Sequence, residues 1–303
     1  MATATRRRPR VLLCISGRGW AFENIARALK RHLHECRIET VSRDELQNGI
    51  HLAPQYDVAV VFWWPELPLS QEHVRARRWV LCLYDEVSWP DGVPDFPGAV
   101  QKADAMLVAN RRIAARLEAL DPRRPVWTCP DGVDTRLFAR QPFPERFTIG
   151  WTGNSACRAG DYKGVELIRE ACRLAGVQLV TRDFQQGYIR QAEMPTRFYR
   201  HVSAYACASI GEGTPNPLLE AAACGRPVIS TDVGLVPEVL RPGETGLIVQ
   251  RDVQALAEAI REVRTWNLKE RAGACRETVE GRDWCHAAGA WREMLKNLVE
   301  VSP

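Results

Sequence analysis

Residues 211–234 read GEGTPNPLLEAAACGRPVISTDVG, and this stretch carries most of the information about the fold. Pro217 suits the first turn of a helix, and the residues after it are good helix formers. Gly225 and Pro227 stop the helix, because glycine readily adopts the left-handed conformation of a helix C-terminus and proline cannot continue a helix. An apolar run follows. The segment therefore predicts a loop, a helix that begins near Asn216 and then a buried strand.

Two glutamates flank the start of this helix. Glu212 lies in the Gly-Thr-Pro loop, and Glu220 lies eight positions later, inside the helix. Free N–H groups at a helix N-terminus attract anions, and carboxylates accept hydrogen bonds from sugar hydroxyls. A nucleotide sugar carries both phosphates and hydroxyls, so the pattern favours such a ligand. The alternative is that both glutamates are simply solvated.

The segment resembles the E-x7-E signature of the retaining GT-B glycosyltransferases of family 4, the glycosyl transferases of group 1. This resemblance implies that Glu212 contacts the donor sugar and that Glu220 contacts the ribose hydroxyls. It also implies that backbone amides of the loop hold the sugar and the diphosphate. The loop amides concerned are those of Thr214, Pro215, Asn216, Pro217 and Leu218, and Gly213 is also expected to bind the donor.

Basic residues upstream match the same family. Arg158 and Lys163 stand at the five-position offset of the arginine and lysine that hold the diphosphate in the family. The resemblance therefore implies that Arg158, Lys163 and Glu212 form the catalytic set. Gly153 and Asn154 end a predicted strand and are expected to line the donor site.

Short apolar runs alternate with helical patterns along the whole chain, which is typical of parallel α/β sheets. The fold class predicted is α/β, a GT-B fold of two Rossmann-like doubly wound domains that face a central cleft. The domains are an N-terminal acceptor-side domain over 1–145, a donor domain over 146–283, and a C-terminal helix over 284–303 that packs back on the first domain. The stretch 139–146, which contains two prolines, is expected to be the linker between the two domains. Predicted strands are 11–16, 58–63, 79–84 and 105–108, then 147–152, 177–181, 204–210, 228–231 and 247–249.

A glycine-rich turn follows the first predicted strand. Gly17 and Gly19 resemble the start of a dinucleotide fingerprint, but Phe22 replaces the third glycine. Three interpretations are open: a loop that lines the donor site through backbone amides, a simple tight turn, and the cofactor loop of a nicotinamide-dependent oxidoreductase.

Aromatic and acidic residues mark the candidate acceptor side. Tyr84 ends a predicted strand where the family often has a histidine, and none of the six histidines falls at that point. The resemblance therefore does not extend to a histidine-assisted mechanism. Trp63 is expected in the core, whereas Trp64 is open between core and surface. The acceptor-side candidates are Trp20, Tyr84, Asp85 and Trp89.

Composition is ordinary for a soluble globular protein. The chain has 303 residues, 46% of them hydrophobic, and a net charge of +4, which does not by itself indicate nucleic acid. No run is long enough to span a membrane or to serve as a signal peptide, so a cytoplasmic location is expected; arginines before the first strand leave contact with a membrane surface open. The ten cysteines form no C-x-x-C pair and are expected to be reduced thiols.

The function predicted is transfer of a sugar from a nucleoside diphosphate donor to an acceptor hydroxyl, with retention of configuration and no metal. No D-x-D pattern stands where a metal site would need one, and no cofactor is expected beyond the donor as co-substrate. Two alternatives are a catalytically inactive, sugar-nucleotide-binding partner subunit and an NAD-dependent oxidoreductase. The base, the sugar, the acceptor and the oligomeric state are left open by the sequence.

Overall fold

The computed structural model describes residues 7–19, 21–84, 96–120, 123–158, 160–187 and 189–300. The chain forms two compact units. The first comprises Met1–Pro130 and Ala287–Pro303, and the second comprises Asp131–His286. The segment 139–146, which contains two prolines and was expected as the linker, therefore lies inside the second unit.

The first unit contains a six-stranded, all-parallel sheet in the order β2-β1-β3-β4-β5-β6. Its central strands are almost entirely buried, as expected for a sheet that is covered on both faces. The strands are β1 (Arg10–Ile15), β2 (Arg37–Ser42), β3 (Tyr56–Val61), β4 (Ala76–Leu83), β5 (Ala105–Val108) and β6 (Val126–Thr128). The helices between them are α1 (Ala21–His32), α2 (Arg43–Gln47), α3 (Leu67–His73), α4 (Phe96–Gln101) and α5 (Arg111–Leu120).

The second unit contains a five-stranded parallel sheet in the order β11-β10-β9-β7-β8. The strands are β7 (Thr148–Gly153), β8 (Gln178–Asp183), β9 (Ala204–Cys207), β10 (Val228–Thr231) and β11 (Gly246–Val249). The helices are α6 (Val165–Ala175), α7 (Met194–Arg197), α8 (Asn216–Ala223), α9 (Val236–Val239), α10 (Val253–Arg264) and α11 (Leu268–Glu280), followed by α12 (Trp284–Glu300).

Most predicted elements match the structure within one to three residues. The helix predicted near Asn216 begins there, and Gly225 follows it with a left-handed φ of 77°. Two strands, β2 and β6, were not predicted. Both are sheet-edge strands with mostly half-exposed residues, so they lack the continuous apolar run that marks the central strands.

The C-terminal helix contributes to the first unit through its later turns. Trp291 is 1% exposed and stacks on Phe62, with ring centroids 6.0 Å apart. Arg292 forms an ion pair with Glu35 and donates to the carbonyl of His32. Residues 287–303 therefore belong to the core of the first unit, although they follow the second unit in sequence.

None of the ten cysteines forms a disulfide. In the described part of the chain no helix is both long and apolar enough to cross a membrane. No group of three or more His, Cys, Asp or Glu side chains among the described residues has the arrangement of a metal site.

Candidate functional site

The second sheet has its topological switch point between β7 and β9. The chain leaves β7 toward β8 on one side and then crosses to β9 on the other. Loops at the carboxyl ends of such a pair diverge, and ligands of doubly wound folds bind there. The two loops are 154–164, after β7, and 208–215, after β9, and they carry the basic and acidic residues singled out in the sequence.

An ion pair joins these two loops. Lys163 Nζ donates to Glu212 Oε1 at 2.6 Å, and the two side chains are 24% and 14% exposed. Burial lowers the pKa of the Lys163 ammonium, but the charge of Glu212 and its hydrogen bond outweigh burial, so the pKa is raised overall. Lys163 therefore stays a cation at any physiological pH.

Ser209 is a site residue that the sequence reasoning missed. Its hydroxyl donates to the same oxygen, Glu212 Oε1, at 2.7 Å, and Ser209 is only 2% exposed. Cys207 Sγ lies 3.6 Å from Ser209 Oγ. The available signal was a hydroxyl residue three positions before the first glutamate of the E-x7-E motif, which gives it the reach of a short local hydrogen bond.

Arg158 and Lys163 are brought together around one aromatic ring. The guanidinium carbon of Arg158 lies 4.6 Å from the centroid of the Tyr162 ring, and Lys163 Nζ lies 5.9 Å from the same centroid. Both distances suit cation–π contact. The two cations predicted to hold a diphosphate thus share one small region beside Glu212.

Close backbone packing fixes the first loop against the second. Gly164 has a left-handed φ of 71°, and any side chain there would overlap the carbonyl group of Ala208. Arg251 ties the same two loops together, because its Nε donates to Ala208 O at 2.8 Å and its Nη2 donates to Asp161 O at 2.6 Å. The backbones of the two loops that carry Lys163 and Glu212 are therefore held together.

Glu220 is buried on α8 and has two side-chain donors. Tyr199 donates to Oε2 at 2.8 Å, and Gln191 donates to Oε1 at 3.1 Å. Burial raises the pKa of the Glu220 carboxyl to about 7, although both hydrogen bonds act to lower it. The carboxyl group therefore changes charge in the physiological range and is held in one orientation.

The start of α8 offers fewer amides than the sequence reasoning expected. Pro215 and Pro217 have no N–H, Asn216 N donates to the Thr214 carbonyl at 2.9 Å, and Leu218 N donates to the Pro215 carbonyl at 2.8 Å. Of the five residues from Thr214 to Leu218, only Thr214 keeps an amide proton outside these loop bonds. Contact of this loop with the sugar and diphosphate stays a prediction, and Pro215 and Pro217 cannot make that contact through an amide proton.

Two further donor-site candidates stand at the end of β7. Gly153 is the last residue of the strand and is half-buried. Asn154 Oδ1 accepts hydrogen bonds from Ala156 N at 3.1 Å and from Gln185 Nε2 at 2.8 Å. Asn154 thus shapes the loop that carries Arg158.

The glycine-rich turn of the first unit is occupied by protein carboxylates. Gly19 N donates to Glu23 Oε2 at 2.7 Å, and Arg18 forms a two-pronged ion pair with Glu45 at 2.8 and 3.0 Å. A carboxylate on the loop amide repels a phosphate at the same place. This geometry disfavours the dinucleotide interpretation of Gly17 and Gly19, and their contact with the donor stays a prediction.

Tyr84 belongs to an aromatic cluster in the first unit. Its ring centroid lies 5.1 Å from that of Phe22 and 6.1 Å from that of Phe62.

Trp63 is 39% exposed and Trp64 is 7% exposed, so the core position expected for Trp63 is wrong. The other acceptor-side candidates, Trp20, Asp85 and Trp89, lie outside the described residues.

Gly234 supports the loop that carries Glu212. It has a left-handed φ of 48°, and a methyl group there would overlap the carbonyl oxygens of Glu212 and Gly213. We expect Gly234→Ala to lower the free energy of unfolding by about 2–3 kcal/mol, because backbone strain and overlap act together. Chemical denaturation measures this difference.

Gly243→Ala is the matched control for Gly234→Ala. Gly243 also has a positive φ, 79°, but a methyl group there would meet no atom within 4 Å. The control should therefore lose only about 1 kcal/mol, from the backbone alone. Equal losses in the two variants would show that packing of Gly234 on the Glu212 loop is unimportant.

Glu220 makes stability depend on pH. Its folded pKa of about 7 lies above the ordinary glutamate pKa of 4.5, so the folded state binds the proton more tightly than the unfolded state. The penalty for burying the charge is absent below the unfolded pKa and complete above about pH 7. The difference in unfolding free energy, wild type minus Glu220→Gln, should therefore rise by about 2–3 kcal/mol as the pH falls from about 7.5 to about 5.

Subtracting the unfolding free energy of Glu220→Gln from that of the wild type cancels the contributions of other groups that titrate in this pH range. Glu66, for example, is also buried, and its pKa is also raised to about 7. Urea unfolding at several pH values gives the required free energies. A difference that stays constant from about pH 5 to about pH 7.5 would contradict the burial of the Glu220 charge.

Comparison with known proteins agrees with this geometry. Residues 155–265, which contain Arg158, Lys163, Glu212 and Glu220, match the family model "Glycosyl transferases group 1". The second unit thus contains a segment that matches the glycosyl transferases of group 1, and the two parallel-sheet α/β units fit a GT-B fold.

Two similar proteins come from Mycolicibacterium smegmatis. An alpha-maltose-1-phosphate synthase is 28% identical over 251 residues, which cover 67% of this chain and 64% of the relative. A GDP-mannose-dependent alpha-(1-6)-phosphatidylinositol monomannoside mannosyltransferase is 26% identical and aligns with 82% of this chain and 78% of its own length. The chain thus spans a little under two thirds of the first of these relatives.

Solved structures share the fold. A sucrose-phosphate synthase from Thermosynechococcus elongatus superposes with a TM-score of 0.74 at 17% identity, covering 98% of this chain and 100% of its own. Anabaena HepE in complex with UDP and glucose gives a TM-score of 0.69 at 14% identity, covering 97% of this chain and 100% of its own. At these identities the likeness concerns the fold alone.

Proposed function

We propose that the protein transfers a sugar from a nucleoside diphosphate donor to an acceptor hydroxyl, with retention at the anomeric carbon and without a metal ion. The observation that carries this proposal is the Lys163–Glu212 pair at the switch point of the second sheet, with buried Glu220 on the adjoining helix. One cluster thus offers a cation for phosphate and two carboxylates for hydroxyls.

Charge stabilisation is the main chemical task, because a nucleoside diphosphate leaves with its negative charge. Lys163 is a permanent cation beside the site, and Arg158 shares the Tyr162 ring with it. Arginine can bind two phosphate oxygens at once, while lysine acts as a point charge. Since most amides at the start of α8 are absent or already bonded, these two cations are the principal groups that neutralise the leaving group.

The two glutamates have different parts of one ligand to bind. Glu212 lies beside Lys163 and would accept hydrogen bonds from the donor sugar, next to the diphosphate. Glu220 is fixed by Tyr199 and Gln191, which suits an acceptor for the ribose hydroxyls. The departing phosphate would take the proton of the acceptor hydroxyl, so neither glutamate is assigned the role of general base.

Names of relatives suggest the donors and acceptors to try first. One relative is named as GDP-mannose-dependent, and one fold neighbour was solved with UDP and glucose. Sugar phosphates and inositol lipids are acceptor classes suggested by the same names. A lipid acceptor would place the protein at a membrane surface, and otherwise we propose a cytoplasmic site of action.

A transfer assay tests the proposal. The protein is incubated with UDP-glucose or GDP-mannose, each with a hexose, a sugar 1-phosphate or phosphatidylinositol vesicles as acceptor, in the presence and absence of EDTA. We expect release of one nucleoside diphosphate, an α-linked product by proton NMR and no effect of EDTA. A β-linked product would contradict retention, and loss of activity in EDTA would contradict metal independence.

A further inference from the structure

Glu212 Oε1 has two protein donors of very different character. Lys163 Nζ lies 2.6 Å away and Ser209 Oγ lies 2.7 Å away. Lysine has three N–H bonds on a long flexible stem, whereas serine has one O–H on a single rotatable bond. The two donors therefore differ in how far they can move toward an anion that binds nearby.

Ser209 is buried and packed among residues of the second unit. It is 2% exposed, its carbonyl accepts a hydrogen bond from Thr231 Oγ1 at 2.9 Å, and the thiol of Cys207 lies 3.6 Å from its hydroxyl oxygen. The single hydroxyl proton points to Glu212. Ser209 is therefore placed to hold this carboxylate.

Lys163, in contrast to Ser209, is partly exposed and has a long, flexible side chain. Its side chain is 24% exposed. Among the described residues, its ammonium group forms one ion pair at hydrogen-bonding distance, with Glu212. On the proposed function, an arriving diphosphate brings negative charge to the same cation. The phosphate then competes with Glu212 for the protons of Lys163.

We infer that Ser209 is a positioning residue for donor-sugar recognition: it keeps the Glu212 carboxylate in place while Lys163 turns to the diphosphate. The second oxygen, Oε2, is then presented to a sugar hydroxyl. This inference rests on the proposed function, and it assigns a specific step to a residue outside the two glutamates of the motif.

Sugar-dependent binding gives the sharpest test. Ser209→Ala should weaken binding of the nucleotide sugar about 10- to 100-fold, the size expected for losing a hydrogen bond to a charged group. Binding of the nucleoside diphosphate, which has no sugar for Glu212 to hold, should change by less than about 3-fold. Calorimetric titration with UDP and UDP-glucose, and with GDP and GDP-mannose, measures both affinities.

Two variants separate positioning from general structural damage. Ser209→Thr keeps the hydroxyl and should restore most of the sugar-dependent affinity. Ser230→Ala is the control for removing a buried hydroxyl from the same unit, since Ser230 is 0% exposed and donates to the Thr231 carbonyl at 2.8 Å. The affinity of Ser230→Ala for the nucleoside diphosphate and for the nucleotide sugar should match that of the wild type.

Each outcome bears on one claim. Wild-type affinity for the nucleotide sugar in Ser209→Ala would overturn the role of Ser209 and leave the proposed function standing. Equal weakening of nucleotide and nucleotide sugar would show a merely structural role and would also overturn the inference. If the wild type bound none of the four ligands, the proposed function would fail, and the inference with it.

Discussion

Replacing Lys163 by methionine should lower kcat/KM for sugar transfer by about 30- to 900-fold, which corresponds to about 2–4 kcal/mol of transition-state stabilisation. Methionine keeps an unbranched chain of similar length but removes the charge. In the wild type this charge lies 2.6 Å from Glu212, beside Arg158 and the Tyr162 ring. Because few loop amides are left to share the task, the loss should fall mainly on kcat. Initial rates at several donor concentrations separate kcat from KM.

Lys269→Met is the control for this experiment. Lys269 is exposed on α11 of the same unit and lies far along the sequence from the switch-point loops. The Lys269→Met variant should transfer sugar at the wild-type rate. If Lys163→Met also retained the wild-type rate while remaining folded, Lys163 would not stabilise the leaving diphosphate.

Replacing Arg226 by leucine should destabilise the protein by about 3–5 kcal/mol. Arg226 is 0% exposed, and burial lowers the pKa of its guanidinium to about 10. It donates to the carbonyl groups of Gln141, Pro142 and Tyr199 at 2.6–3.3 Å. Leucine would leave these oxygens without their donor. The free energy of unfolding in urea measures the loss.

Arg271→Leu is a matched control, because Arg271 makes the same kinds of contact nearer the surface. It donates to the carbonyls of Gly243 and Glu244 at 2.5 and 2.9 Å, and it lies 4.0 Å from the Trp266 ring centroid. Since water can replace it, we expect a loss of about 1 kcal/mol or less. Similar losses for Arg226→Leu and Arg271→Leu would contradict the importance of burial at Arg226.

The role of Arg226 also explains why the linker prediction did not match the unit boundary. Two prolines made 139–146 resemble a connector, and prolines are common in connectors. In the structure the carbonyls of Gln141 and Pro142 are bound by Arg226, and the Phe143 ring lies 4.1 Å from its guanidinium carbon. A long-range contact of this kind leaves no local signal in the sequence.

The fold was predictable because its central strands are continuous apolar runs and its helices have clear starts and stops. The two tryptophans after β3 show the limit of this reasoning. The strand ends at Val61, so the alternation of a strand no longer decides which of Trp63 and Trp64 is buried. The structure buries Trp64 in a short 3₁₀ turn.

The candidate site was predictable in its charged residues and not in its hydrogen bonds. Lys163, Glu212 and Glu220 belong to a long, specific pattern, whereas the signal for Ser209 was only its position three residues before Glu212. The missing amides at the start of α8 could have been found from the sequence, because proline has no N–H. The bonds of Asn216 and Leu218 within the loop depend on its exact turn, which required the structure.

Nucleotide binding is the most direct test of the donor site. The stability of the wild type and of Glu220→Ala is measured by thermal unfolding with UDP, GDP, ADP, dTDP and NAD, each in large excess. A ligand at about 100 times its dissociation constant adds about 2.7 kcal/mol, which raises Tm by several degrees. We predict stabilisation of the wild type by one nucleoside diphosphate and loss of that effect in Glu220→Ala. Stabilisation by NAD alone, or equal stabilisation of both proteins, would contradict a donor site built on Glu220.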